Sequence, residues 1–184
     1  MMGRLTPPVS ERDHVMGPAD ARVTLVEYGD YECPSCGEAY PIIKAVQQRL
    51  GDHVRVVFRN FPLTEYHPHA RLAAYAAEAA ALQGRFWEMH DLLYEHQEEL
   101  EPDDLIGYAE QLGLDVEQFD RDVGSAEVAE RVRSDFLGGA RGGVNGTPTF
   151  FINGQRYDGS WAAGPLFDAL ESALAEADAQ SQWR

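Results

Sequence analysis

The sequence predicts an α/β domain of the form βαβ … ββα, with an all-helical segment inserted between its two halves. Three observations carry that prediction. First, a β-branched apolar run, Val23-Thr24-Leu25-Val26-Glu27-Tyr28, passes through a short turn into a helical stripe. Second, another such run, Val54 to Arg59, follows soon after and implies a right-handed parallel crossover. Third, no stretch from Glu65 to Phe136 alternates as a strand does, and Asn153-Gly154 beyond it lies between two short strand-like runs.

Length and composition agree with one domain and a sizeable core. The chain has 184 residues, 44% of them apolar and 25% charged, as in ordinary soluble globular proteins. The expected divisions are an N-terminal arm (1–20), a sheet-bearing part (21–64 and 140–178), a helical insertion (65–139) and a tail (179–184). The arm holds Pro7, Pro8, Glu11, Arg12 and Asp13 and reads as loose. It shows no apolar segment of the kind a secretory signal or membrane span needs, so the expected location is cytoplasmic.

In chain order, Gly17-Pro18-Ala19-Asp20 turns into the strand at 22–28, whose near-continuous apolar character suits a central strand covered on both faces. Pro34 suits the first position of a helix, where its missing N–H costs nothing. That helix continues through Ile42, Ile43, Val46 and Leu50 and stops at Gly51. After the strand at 54–59, Asn60-Phe61-Pro62 ends the crossover. The insertion begins with an alanine-rich helix from Arg71 to Leu82. A second helix from Phe86 to Leu100 places Phe86, Met89, Leu92, Leu93 and His96 on one side, a third opens at Pro102, and two more span 115–123 and 125–137. Gly138, Gly139, Gly142, Gly143 and Gly146 mark a flexible return, followed by a hairpin at 149–157 and a last helix from Gly164-Pro165 with Leu166, Phe167, Leu170 and Leu174 inward.

The formal charge is −16, and residues 65–140 hold 18 acids against 5 bases. Such a field disfavours nucleic acid and anionic membrane surfaces as partners. It reads chiefly as a solvated helical surface that could also steer basic polypeptides.

The chemistry sits where the first helix begins, at Cys33-Pro34-Ser35-Cys36. Cys33 falls at or beside the N-cap, so unpaired backbone N–H groups point at its sulfur and favour a thiolate. Cys36 lies one turn inside, shielded from solvent. An exposed attacking sulfur and a second sulfur that resolves the mixed disulfide make a redox pair. Two cysteines this close in sequence close too small a loop to stabilise the fold much. Glu27 stands in the middle of an apolar strand, where a charged, unpaired carboxyl is costly. Its pKa should rise, which suits a proton acceptor for Cys36.

Together these features resemble the DsbA-like branch of the thioredoxin superfamily over roughly residues 20–178. The resemblance rests on Glu27 six positions before Cys33, the Cys-Pro-Ser-Cys motif, the helical insertion and Gly146-Thr147-Pro148-Thr149-Phe150-Phe151-Ile152-Asn153-Gly154. Phe61-Pro62-Leu63 and His67-Pro68-His69-Ala70 are similar to cytoplasmic members. The resemblance implies a thioredoxin-like fold and thiol–disulfide exchange without a cofactor. It also implies a cis peptide before Pro148 and substrate contact through Thr147, Pro148, Pro34 and Ser35. The implied partners are protein or peptide thiols and disulfides, with a small-thiol or thioredoxin-type redox partner. Strongly oxidising relatives carry histidine where this chain has Ser35, and Thr147 is also seen in isomerase-like relatives. Asp30, Glu32 and Glu38 should oppose a thiolate. In a cytoplasm, reduction or isomerisation is the expected role.

Two other readings compete. Cys33, Cys36, His67 and His69 could hold zinc, although the second cysteine pair of a structural site is missing and His67-Pro68-His69 more simply caps a helix. Alternatively, the acidic insertion could serve a binding module or chaperone in which the cysteines are incidental. Of the remaining side chains, His14, His53, His90 and His96 read as surface or satisfied helix residues, and Tyr31 and Trp161 as borders of a client groove.

Overall fold

The computed structural model describes residues 3–181. Its strands are β1 (His14–Met16), β2 (Val23–Gly29), β3 (Val54–Asn60), β4 (Thr149–Ile152) and β5 (Gln155–Tyr157). They form one sheet in the order β1-β3-β2-β4-β5. β2 runs parallel to β3 with Glu27 opposite Phe58, and antiparallel to β4 with Glu27 opposite Phe150. The α/β, thioredoxin-like architecture with its helical insertion is therefore present.

Alternation along β2 separates two cores. Val23 and Leu25 face α1 (Pro34–Leu50) and α7 (Ala163–Ser181), meeting Ile43, Val46, Leu166 and Leu170. Val26 and Tyr28 face the other way, toward Val57, Phe61 and Phe151. Both sides are covered, which is why the strand is almost wholly apolar. Asn153 and Gly154, with φ of 49° and 79°, close the β4–β5 hairpin in the doubly left-handed turn that Asn-Gly favours.

The insertion consists of α2 (Ala70–Leu82), α3 (Phe86–Glu95), α4 (Pro102–Gln111), α5 (Val116–Val123) and α6 (Ala126–Arg141). α2 buries Ala73, Ala74, Ala76, Ala77, Ala79 and Ala80, so small side chains let its neighbours approach from several sides.

Four expectations need correction. The arm is not loose: β1 pairs antiparallel with β3, and Arg59 binds the carbonyls of Pro7 and Pro8. A three-residue edge strand amid prolines and charges is too short to show a period. Gly138 and Gly139 lie inside α6, where a Cβ at 138 would meet Pro7 Cδ at 2.9 Å and one at 139 the Tyr28 ring at 2.8 Å. These glycines serve close packing, not flexibility. The helix expected over 86–100 ends at Glu95, and the chain turns before Leu100. α7 continues through residues 179–181 of the expected tail, whose last residues, 182–184, lie outside the described part.

Candidate active site

The end of β2 and the start of α1 bring the predicted residues together. Cys33 is the N-cap of α1, with extended backbone angles and no side-chain cap bond, and Pro34 follows inside the first turn. Its carbonyl accepts from Gly37 N–H at 3.1 Å. The Cys33 sulfur lies 3.5 Å from the Thr147 carbonyl oxygen, and the Thr147–Pro148 peptide is cis. Pro34 is exposed and Ser35 half-buried, both on the open side of the turn. Both cysteines are free thiols.

Cys33 is less open than expected. It is 6% exposed, against 0% for Cys36, because the return loop before β4 lies against its sulfur. Its pKa is nevertheless lowered to about 5. The largest cause is donation from the Cys36 thiol, which outweighs the opposing effect of burial. The Thr147 hydroxyl and the backbone N–H groups of Cys36 and Ser35 add to it. Thr147 Oγ1 is itself buried with no partner among the described residues, so it is available to the thiolate. Cys36 moves the opposite way: burial, the bond to Cys33 and the negative charge of Glu27 hold it well above an ordinary thiol.

None of Asp30, Glu32 and Glu38 is among the main causes acting on Cys33, and two of them are held by donors. Asp30 accepts from Glu32 N–H, Leu63 N–H and His67 Nδ1 at 2.8–2.9 Å. Glu32 accepts from His69 N–H and faces His69 Nδ1 at 2.8 Å, while His69 Nε2 lies 3.0 Å from Glu101. The bond to Glu32 leads the causes that raise the His69 pKa. His67 and His69 are thus engaged with carboxylates rather than converging on the cysteines. This corrects the zinc arrangement, since a fourfold ligand set is not assembled. His69 does occupy the N-cap of α2, but its ring makes no cap bond.

Glu27 is 3% exposed, and its Oε1 has no hydrogen-bond partner among the described residues. Burial, and after it the charge of Cys33, raise its pKa to about 8. The carboxyl is therefore a buried proton holder beside the pair and not a surface group.

Sequence reading missed Gln97. Its side-chain amide donates to the carbonyls of Tyr31 and Cys33 at 2.8 and 2.9 Å, tying the cysteine turn to the loop after α3. A glutamine in an aperiodic loop gives no sequence signal. Gly37 gave an unread hint, because a Cβ there would lie 2.0 Å from the Gln97 amide oxygen. Tyr31 does not border a groove. It is fully buried, with its hydroxyl 3.0 Å from His90 Nδ1, and His90 is buried with it. Burial holds the His90 ring down to about 3.

Comparison with known proteins agrees with this geometry. Residues 9–172 match the family model described as Thioredoxin. The oxidised BdbD structure from Bacillus subtilis superposes with a TM-score of 0.83 at 26% identity, covering 95% of this chain and 98% of that one. A thioredoxin-like oxidoreductase from Silicibacter pomeroyi gives 0.79 at 29% identity, covering 89% and 93%. Wolbachia pipientis alpha-DsbA1, at 16% identity and a TM-score of 0.81, covers 95% and 96% and shares the fold. Among curated sequences, the Na(+)/H(+) antiporter NhaA 1 of Salinispora arenicola is 51% identical over 173 residues, 93% of this chain but 26% of that protein. The chain thus spans about a quarter of the length of the curated relatives it matches, and among the described residues no helix is long and apolar enough to cross a membrane. With the family model spanning most of the chain and the cysteine pair, buried Glu27 and Thr147-Pro148 loop at one place, the chain belongs to the thioredoxin family.

Proposed function

We propose that this chain exchanges disulfides with extended protein or peptide segments, working as an isomerase in the cytoplasm with a small thiol or thioredoxin-type protein as redox partner. The observation that carries the reading is the Cys33 sulfur, held as a low-pKa thiolate beside the Thr147 carbonyl with Cys36 buried one turn inside. Cys33 attacks one sulfur of a substrate disulfide and forms a mixed disulfide, while the other substrate sulfur leaves with the electron pair. The backbone at Thr147-Pro148 borders the attacking sulfur and suits a substrate strand laid alongside it. Pro34 and Ser35 form the rest of that contact.

Glu27 supports the second half of the cycle. One of the two causes that keep it protonated is the Cys33 charge, and that charge vanishes once Cys33 is in a mixed disulfide. The carboxyl is then more often ionised and so free to take the Cys36 proton. Direction follows from thiolate energetics: stabilising the thiolate stabilises the reduced pair. A pair that holds its electrons keeps Cys33 ready to attack misplaced disulfides, which favours isomerisation over net reduction.

The test is refolding of scrambled ribonuclease alongside insulin reduction. Cys33→Ser should fall to background in both, and Cys36→Ser should accumulate the mixed disulfide. A measured reduction potential near the glutathione pool supports isomerisation. One well below it would make the protein a reductase, and one far above it an oxidase. Undiminished activity of Cys33→Ser would overturn the reading.

A further inference from the structure

Tyr94, in the insertion, belongs to the cluster that holds both cysteines, and its hydroxyl has nothing yet assigned to it. It stands near the end of α3, 6% exposed, and its Oη has no hydrogen-bond partner among the described residues. A Cβ at position 29 would sit 2.8 Å from that oxygen, so the hydroxyl lies directly over the Gly29 backbone. Gly29 and Glu27 are two apart on β2 and share a face, the face toward α1. Cys36, in the first turn of α1, belongs to the same apolar cluster as Tyr94, Tyr31 and Phe58. Two unpartnered buried polar atoms, Glu27 Oε1 and Tyr94 Oη, therefore stand on the side of the sheet that holds Cys36, neither of them hydrogen-bonded to its thiol in the resting protein. Buried polar groups left without partners are rare enough to need a reason.

We propose that Tyr94 is a donor for the resolving step, its hydroxyl donating a hydrogen bond to the thiolate that forms at Cys36 as Glu27 takes the Cys36 proton. The proposal rests on the disulfide-exchange reading above and adds to it a residue from the helical insertion. In the step, the proton of Cys36 moves to Glu27 and the Cys36 sulfur attacks the Cys33 sulfur of the mixed disulfide. The Cys33–Cys36 bond forms, the bond to the substrate breaks, and the electron pair leaves on the substrate sulfur as a thiolate. The two cysteines are oxidised by two electrons and the substrate disulfide is reduced by the same two. Tyr94 stays protonated throughout, since burial first, then the charges of Cys36 and Glu27, hold its hydroxyl well above an ordinary phenol. The titratable groups around it are Cys36 and Tyr40 from α1, Glu27 and Asp30 from β2 and its turn, Tyr31, whose ring packs on it, and His90 from its own helix.

An aromatic disulfide whose thiolate absorbs visible light tests this, because reduced protein releases that thiolate twice: when Cys33 attacks and when Cys36 resolves. Tyr94→Phe keeps the ring and removes only the oxygen. It should leave the first release within about twofold and slow the second by about tenfold or more, the worth of a hydrogen bond to a charged group. The pH midpoint of the second release should also move upward. Tyr40→Phe, which loses a hydroxyl bound to Glu95 on a ring stacked against Tyr94, is the control and should change neither phase. A second phase of Tyr94→Phe with unchanged rate and pH midpoint overturns the proposal, as does equal slowing of both phases. If the unaltered protein releases no second equivalent, the exchange reading fails and the proposal with it.

Discussion

Glu27 and Arg59 are equally buried, each 3% exposed, on neighbouring strands of the same sheet. Their treatment could hardly differ more. Arg59 points to the face shared with Tyr28, and all five of its N–H groups are used. They reach Asp13 twice (2.8 and 3.0 Å), Tyr28 Oη (3.0 Å), and the carbonyls of Pro7 (2.8 Å) and Pro8 (3.2 Å). Glu27 points to the opposite face and leaves an oxygen with no partner among the described residues. A buried charge that is fully hydrogen-bonded anchors structure. One left bare shifts its pKa and exchanges protons instead. The contrast separates the face that fastens the N-terminal segment from the face that carries the cysteine pair.

The largest expected effect comes from breaking the saturated side. Arg59→Met strands the Asp13 carboxylate and the Tyr28 hydroxyl, and should cost about 3–5 kcal/mol in urea unfolding while leaving Cys33 reactivity intact. Its pH signature follows from Asp13. Burial pushes that carboxyl up, but Arg59 and the Ser10 N–H outweigh burial and hold it below 3.8. Its contribution is therefore present above pH 3.8 and lost as pH falls toward the folded value. In the variant the carboxyl should rise, so stability would instead fall as pH climbs through 4.

Next comes the bare side. Glu27→Gln should slow resolution of the mixed disulfide by about 100-fold, measured by rapid quench, with the initial attack by Cys33 unchanged. The same change should raise stability at alkaline pH. A carboxyl whose pKa is raised from 4.5 to about 8 destabilises the fold progressively between those values. The gain is absent at pH 4 and complete above 8. A stability gain over the unaltered protein no larger at pH 9 than at pH 4 would place the carboxyl in water.

A third experiment reads Cys33 itself. Its alkylation rate should hold a plateau down to about pH 5 and then fall tenfold per pH unit. The smallest effect belongs to Gln97→Ala, which removes the two bonds to the cysteine turn. It should cost about 1–2 kcal/mol and blunt the low-pH plateau without abolishing exchange.

What could be read in the sequence was what repeats or what chemistry demands. The β-branched run at 23–28, the proline opening α1, the cysteine spacing, the Asn-Gly hairpin and the insertion's lack of strands all have local signatures. Glu27 was legible because a carboxyl amid valines demands an explanation. What escaped depends on partners distant in the chain. Gln97 meets Cys33 across 64 residues, and Gly138 and Gly139 look like a linker until Pro7 and Tyr28 are placed against them. Tyr94 reads as one more aromatic on a helix face. Asp30 and Glu32 were read as repelling charges because nothing local reveals that His67 and His69 meet them.

The ring of His69 has one further consequence. Doubly protonated, it can donate to Glu32 and Glu101 at once, across the 380 Å³ hollow those two side chains border beside Pro34. Its pKa is raised by those contacts, so the double grip is complete below pH 6.5 and is surrendered as alkalinity passes the folded value. Beyond that point one nitrogen has no hydrogen to give, and the ring keeps one of its two carboxylate contacts, while Glu32 stays held by the His69 backbone N–H and Glu101 by the capping box of α4. The tie between the cysteine turn and the start of α4 thus loosens by one hydrogen bond on the loss of a single proton.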